Sequence, residues 1–244
     1  MRGSAKEFIN GRPDPLSITD MRIKELVKYL IYCYKKLLAD KPQYSKKWVA
    51  EKTAHTFEDF LKIKFVDEYL IVHKSYLQKR ISELEEINFA YEIQKTYLDA
   101  NSIERVDQID IYINKIGLKG IWLTSDEHLY FAVECKRIKS LLDNAAYLSD
   151  IKKFCDRSHN QLRLPFEGML AFIESNQLFS DKITIDLNQR LKSSVDITTT
   201  GYLKFVSVED NFKDSYYSTH KRKIHGRDFT IYHLYFDYSG IILS

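Results

Sequence analysis

The chain has 244 residues, 44% of them hydrophobic and 29% charged, which suits a folded domain with a sizeable core and excludes a disordered or low-complexity chain. The net charge of +3 is compatible with nucleic-acid binding but does not require it, because a basic cleft can lie on a nearly neutral protein. No apolar run approaches the ~20 residues of a membrane span. The three cysteines lack Cys-x-x-Cys spacing, which argues against a zinc site, and with no leader sequence we expect the reducing cytoplasm.

Helical patterns dominate the first third of the chain. Ser17 or Thr19 can cap a helix that presents one apolar face and ends near Ala39. A second helical stretch is predicted from Lys46 to Tyr69. We therefore expect residues 1–80 to form an N-terminal helical segment packed on the core.

Strand and helix patterns alternate through the rest of the chain. Strands are predicted at 87–98, 109–114, 129–137, 168–173, 202–208 and 230–238, and helices at 138–155 and 179–192. A strand, a helix and a further strand in succession form a crossover unit. The sequence therefore predicts an α/β fold whose core, residues 81–244, is a mixed β-sheet flanked by helices on both faces. The N-terminal segment and this core could also form one continuous domain.

The predicted strand Leu129–Arg137 begins with an apolar run and ends in Glu134, Cys135 and Lys136. Side chains alternate across a strand, so Glu134 and Lys136 share one face and Cys135 points to the other. A carboxylate and an ammonium at the end of a buried strand are costly unless they are paired or bound to something. This strand end is therefore the first candidate for a site.

A second acidic strand, Ile109–Asn114, precedes it and carries Asp110. If the two strands pair antiparallel, the carboxylates of Asp110 and Glu134 come together, and a hard divalent cation would relieve their repulsion. Lys136 beside that cation could orient or deprotonate a water, as metal-dependent phosphodiester hydrolysis requires. Asp107 is the rival for the aspartate role, but Asp110 fits the strand pattern better.

These residues resemble the PD-(D/E)xK superfamily of restriction-endonuclease-like nucleases, in which an Asp on one strand is followed by Glu-x-Lys on the next. The sequence E-C-K-R at 134–137 resembles a bacterial branch of this superfamily that is associated with restriction and phage defence. Weaker likenesses join Tyr147–Phe154 to Glu167–Ile173 and Ser218–Arg222 to His233–Asp237, so that the resemblance covers roughly residues 87–238. Ile109 stands where the motif has its proline.

The resemblance implies a restriction-endonuclease-like fold and a Mg²⁺-dependent (or Mn²⁺-dependent) endonuclease acting on nucleic acid, with DNA as the expected substrate. It also implies that Asp110 and Glu134 bind the metal, helped by the backbone carbonyl of Cys135. Lys136 would then position the attacking water and stabilise developing charge.

Further acidic residues are candidates for the same site. Nucleases of this superfamily often place an acid on the helix before the first strand, where Glu58 and Glu68 lie in this chain. Glu92 lies on the strand expected to neighbour Asp110. A solvated glutamate is the alternative for each of the three.

Basic residues supply the candidate nucleic-acid contacts. The run His220–Arg227 lies between the last two predicted strands and could form a hairpin tip against a DNA backbone, or a solvated loop. His220 and His225 are predicted to be polar loop residues rather than metal ligands. Lys152, Lys153 and Arg157 on the predicted helix could be solvated or could contact phosphate. The predicted nucleic-acid-binding residues are Arg137, Lys139, Lys221, Arg222, Lys223 and Arg227.

A competing hypothesis is a non-catalytic module of the same fold that binds nucleic acid or a partner protein within a defence complex.

For the nuclease, cleavage of both strands of a duplex with one site per chain would favour a homodimer. Metal binding distinguishes the two hypotheses, since the enzyme needs a divalent ion at Asp110 and Glu134 and the module does not.

Overall fold

The computed structural model describes residues 14–99, 101–157, 164–224 and 226–243. The helices are α1 (Pro15–Asp40), α2 (Lys46–Lys52), α3 (Phe57–Phe65), α4 (Ser75–Arg80), α5 (Lys119–Trp122), α6 (Asn144–Asp156) and α7 (Ser180–Ser193), and a π-helical turn, Val66–Ile71, continues α3. The strands are β1 (Tyr44–Ser45), β2 (Asn88–Leu98), β3 (Glu104–Asn114), β4 (Tyr130–Ile138), β5 (Phe166–Ile173), β6 (Thr199–Phe205), β7 (Ser215–Lys221), β8 (Asp228–Asp237) and β9 (Ile242–Leu243).

Seven strands form one mixed sheet in the order β2-β3-β4-β5-β8-β7-β6. The central strands β4, β5 and β8 are parallel, and the outer pairs on both sides are antiparallel. The short strands β1 and β9 form a separate parallel pair. The predicted mixed α/β architecture is therefore confirmed. None of the described helices is both long and apolar enough to cross a membrane.

Two apolar layers cover the two faces of the sheet. On one face α1 and α3 pack on residues such as Val133 and Leu170. On the other face α6 and α7 pack on residues such as Met169 and Ile231. Because every residue of β5 is buried, its sequence shows no apolar–polar alternation, as expected for a central parallel strand.

Several element boundaries differ from those predicted. Helix α1 begins earlier because Asp14, rather than Ser17 or Thr19, accepts hydrogen bonds from the first free amides. The stretch 46–69 is not one helix, because Thr56 caps a new helix by accepting from the backbone N–H of Asp59 at 3.1 Å.

Two further differences from the prediction concern the helix that follows β4 and a strand in the C-terminal part of the chain. After β4 the main helix starts only at Asn144, behind a 3₁₀ turn capped by Ser140. Strand β7 was not predicted because its buried positions, Ser215, Ser218 and His220, are polar.

Two of those polar side chains, Ser218 and His220, belong to a buried chain of hydrogen bonds. The hydroxyl of Ser218 lies 2.7 Å from His220 Nε2 and 2.8 Å from His233 Nε2. His233 Nδ1 lies 2.9 Å from the Tyr147 hydroxyl of α6, and His220 Nδ1 lies 3.2 Å from Thr199. The prediction that His220 is a loop residue is therefore wrong. His225 lies outside the described residues.

Burial lowers the pKa of His220 to about 4 and lowers that of His233 as well. The unfolded chain protonates both near their ordinary pKa of about 6.5, so stability is full above that pH and falls as the pH decreases toward the folded pKa. Between about pH 7 and pH 5 we expect roughly 2 kcal/mol of stability to be lost through His220, with a further loss in the same direction through His233. Urea unfolding at several pH values measures this loss.

The variant His220→Gln should show a shallower pH dependence, and His55→Gln, which changes an exposed histidine, should match the wild type. An unchanged dependence in His220→Gln would show that this network is not the cause.

Gly168 of β5 is required by the packing of β4 against β5. A Cβ atom at this position would lie 2.8 Å from Val133 Cγ2 and 2.9 Å from Phe131 Cζ, closer than side chains can pack. We expect Gly168→Ala to destabilise the fold by about 1–3 kcal/mol through overpacking. Urea unfolding checks this, with Gly120→Ala as the control because nothing lies within 4 Å of its Cβ position. Equal midpoints for the two variants would contradict the argument.

Candidate active site

The site lies where β3 leaves β4. Their antiparallel ladder ends at the pair Ile111–Val133, although β4 continues beside β5 as far as Ile138. The amides of β4 that face β3 beyond this point therefore lack a strand partner and need another acceptor. The Cys135 N–H donates to Asp110 Oδ2 at 2.8 Å, and the Arg137 N–H donates to Glu58 Oε2 at 2.9 Å.

Two of the predicted acids thus accept the backbone hydrogen bonds that a paired strand would otherwise accept. Asp110 stays beside β4 because it immediately precedes Ile111, the first residue of β3 that pairs with β4, and Glu58 reaches β4 from the first turn of α3. The N–H and C=O of one residue in an extended strand point toward the same neighbouring strand. The Cys135 carbonyl is therefore directed toward the gap that Asp110 fills.

The second carboxylate oxygen of Asp110, Oδ1, forms an ion pair with a buried lysine. The ammonium of Lys62, which is 1% exposed, lies 3.0 Å from Asp110 Oδ1, 2.9 Å from Asp59 and 3.2 Å from Glu92. Glu92 stands opposite Asp110 on β2, at a position with φ of 56°, where the regular pairing is interrupted. Burial alone would lower the pKa of Lys62, but Asp110 and Asp59 outweigh it and the pKa is raised. Lys62 is therefore a fixed cation.

Glu134 is buried and forms an ion pair with Arg157 at the end of α6. Arg157 Nη2 lies 2.7 Å from Glu134 Oε1 and 2.6 Å from Asp107 Oδ1. Burial raises the pKa of Glu134, Arg157 opposes this rise, and Asp110 adds to it. Arg157 is buried, so the prediction that it is solvated or contacts phosphate is wrong. Asp107, the rival of Asp110, serves this ion pair instead.

Lys136 shares the α6-facing side of β4 with Glu134, as predicted. Its ammonium lies 3.3 Å from Glu58 Oε1 and 3.1 Å from Asp150 Oδ2, and Asp150 also binds Lys153 at 2.7 Å. Burial lowers the pKa of Lys136, but Asp150 and Glu58 more than compensate, so the pKa is raised. Lys136 is therefore suited to hold a charge or orient a water, and not to deprotonate one.

Asp150 was missed by the sequence reasoning, although a signal exists. It lies on the buried face of α6, beside Tyr147, Ile151 and Phe154, where an aspartate needs a cationic partner. Two of the three partners of Lys62, Asp110 and Glu92, lie on strands far along the chain, and only Asp59 is local.

The predicted basic hairpin tip exists and docks on the C-terminal end of α6. Arg222 Nη1 donates to the Phe154 carbonyl at 2.6 Å, and its Nη2 lies 2.6 Å from Glu167. The Lys223 ammonium lies 2.5 Å from Asp156. Basic side chains at a helix C-terminus are favourable, so Arg222 and Lys223 have a structural use here.

The other predicted nucleic-acid contacts are divided between exposed and half-buried positions. Lys139, Lys221 and Arg227 are exposed. Arg137 lies over the ring of Phe57 at 4.8 Å and pairs with the buried Glu174.

The cluster contains more carboxylates than cations. The carboxylates are Glu58, Asp59, Glu92, Asp107, Asp110, Glu134 and Asp150, and the cations are Lys62, Lys136, Lys153 and Arg157. Among the described residues, no three His, Cys, Asp or Glu side chains are arranged to hold a metal ion, since Asp110 and Glu134 turn toward different cations. The chain matches no protein-family model, no curated protein and no solved structure.

The Arg157 ion pairs should be necessary for folding stability. Arg157→Met would leave Glu134 and Asp107 buried without their guanidinium, and we expect a loss of about 3–5 kcal/mol in the free energy of unfolding. Lys152→Met, on the same helix, removes an exposed ion pair with Asp196 and should change stability little. Urea unfolding of both variants tests the comparison, and similar midpoints would mean that the buried pair is dispensable.

Proposed function

We propose that the chain is a metal-dependent nuclease that hydrolyses phosphodiester bonds in nucleic acid, with DNA as its substrate and a restriction-endonuclease-like core. The observation that carries the proposal is the meeting of Asp110, the Cys135 backbone and Lys136 at the point where β3 leaves β4. A role in restriction or phage defence belongs to the same proposal and is supported only by the resemblance of residues 134–137.

The oxygen donors at this point are of the kind that a hard divalent cation prefers, once Asp110 and Glu134 turn from their present cations. Asp110, Glu134 and the Cys135 carbonyl would hold Mg²⁺ or Mn²⁺ through oxygen atoms, which such ions prefer. The excess of carboxylates also favours an added positive charge. These carboxylates now accept from Lys62, Cys135 and Arg157, so metal binding would exchange those contacts for coordination. The bound cation would supply Lewis-acid activation of water and phosphate.

Lys136 would act on the substrate phosphate. Glu58 and Asp150 hold its ammonium in place and keep it charged. A fixed cation beside the scissile phosphate stabilises the negative charge that develops during hydrolysis. Glu58, predicted as an acid that could join the metal site, would orient Lys136 and accept from the Arg137 N–H at the end of β4.

A non-catalytic module is the second candidate. The ion pairs of Asp110 with Lys62 and of Glu134 with Arg157 favour it, because both acids already have cationic partners within the chain. The module would bind nucleic acid or a partner protein without a divalent ion. Calorimetric titration with Mn²⁺ separates the two, since only the nuclease requires binding that Asp110→Asn weakens.

Cleavage of supercoiled plasmid with Mg²⁺, Mn²⁺ or EDTA tests the nuclease directly. We expect metal-dependent nicking that falls by about 100-fold or more in Lys136→Ala, since the charge at the phosphate is lost. Lys119→Ala, which removes an exposed lysine on α5, should cut like the wild type. Absence of cleavage of any DNA or RNA, together with no heat of metal binding, would exclude the enzyme and leave the module.

A further inference from the structure

Trp48 is an exposed tryptophan beside the candidate active site. It lies on α2 and leaves 52% of its surface exposed, although tryptophan is mostly buried in folded proteins. Its ring contacts Phe60 edge-on, with the two ring centroids 6.2 Å apart. Phe60 therefore covers part of the indole, and the exposed part is open to solvent.

A row of ring contacts leads from Trp48 to the site. Phe60 stacks on Phe57 at 6.0 Å, and the guanidinium of Arg137 lies over Phe57 at 4.8 Å. Arg137 follows Lys136 directly on β4, and its amide is bound by Glu58. Trp48 is therefore connected to the candidate catalytic lysine through two rings and one guanidinium.

The surroundings of Trp48 are basic. Helix α2 has the sequence K-K-W-V-A-E-K, with three lysines and one acid, Glu51, which lies 3.9 Å from Lys47. Lys46 is anchored by the buried Glu174 at 2.7 Å, and the same carboxylate pairs with Arg137. One acid thus holds the cation of Lys46, on the helix of Trp48, and that of Arg137, over the ring of Phe57.

We propose that Trp48 is a stacking platform for an unpaired base of the nucleic-acid strand that enters the active site, with Lys46, Lys47 and Arg137 contacting its phosphates. The inference rests on the proposed function for its ligand class. An open aromatic face flanked by cations is how proteins bind single-stranded nucleic acid, because every base has a face that can stack. A duplex hides those faces, so the platform favours single strands or frayed ends.

Tryptophan fluorescence tests this without any cleavage. The chain has two tryptophans, and Trp122→Phe leaves Trp48 as the sole reporter in the full chain. The probes, titrated in EDTA, are a thymidine DNA and a uridine RNA oligonucleotide of about 12 nucleotides, within the usual site size, and a blunt duplex of that length. We expect saturable quenching by the unpaired probes and little by the duplex. Quenching by either the DNA or the RNA oligonucleotide supports the platform. The oligonucleotide that binds more tightly shows whether the site prefers DNA or RNA.

Affinity is then measured from the anisotropy of a labelled single strand. Trp48→Ala should weaken binding about 5- to 150-fold, and Trp48→Phe should retain most of it. Tyr202→Ala is the matched control, since Tyr202 is also an exposed aromatic beside a lysine but lies on β6 at the far edge of the sheet.

The outcomes of the two tests can be separated. Unchanged affinity in Trp48→Ala, or no quenching, overturns the platform even if the protein cuts DNA. Quenching and weakened Trp48→Ala binding by a protein that cuts nothing support the platform and count against the nuclease.

Discussion

The organisation of the site depends on the early end of the β3–β4 ladder. Backbone amides in a sheet interior need acceptors, and β4 pairs with β5 on one side from Val133 to Ile138. On the other side β3 pairs with β4 only from Ile111 onward, so beyond Val133 the carboxylates of Asp110 and Glu58 accept from β4 instead. A shortage of backbone acceptors therefore explains why two acids converge on one strand end, whether or not they also serve a reaction.

Convergence of acids creates an electrostatic cost that the interior must offset. Lys62 and Arg157, both almost fully buried, each join carboxylates that would otherwise repel. Buried ion pairs add little net stability but are expensive to break, so they fix positions more than they strengthen the fold. A separate pair of acids, Glu58 and Asp150, holds Lys136 charged and oriented at the strand end.

Local patterns were enough to predict much of the fold but only part of the site. Alternation located the strand of Asp110 and an apolar run located that of Glu134, because both patterns act over short stretches of chain, and the antiparallel pairing of the two strands is confirmed. The partners Lys62 and Arg157 could not be assigned, since their contacts depend on how α3 and α6 dock. Strand β7 was not predicted, because a hydrogen-bonded polar network centred on Ser218 replaces apolar side chains in its buried positions.

Helix α6 connects separate parts of the molecule through a single face. Tyr147 meets His233, Asp150 meets Lys136, and Arg157 at its C-terminal cap meets Glu134. Its last carbonyls also receive the basic hairpin tip. One inserted or deleted residue within the helix would turn everything beyond it by about 100° and separate all later contacts from those before. The length of α6 is therefore constrained more strictly than most of its individual side chains.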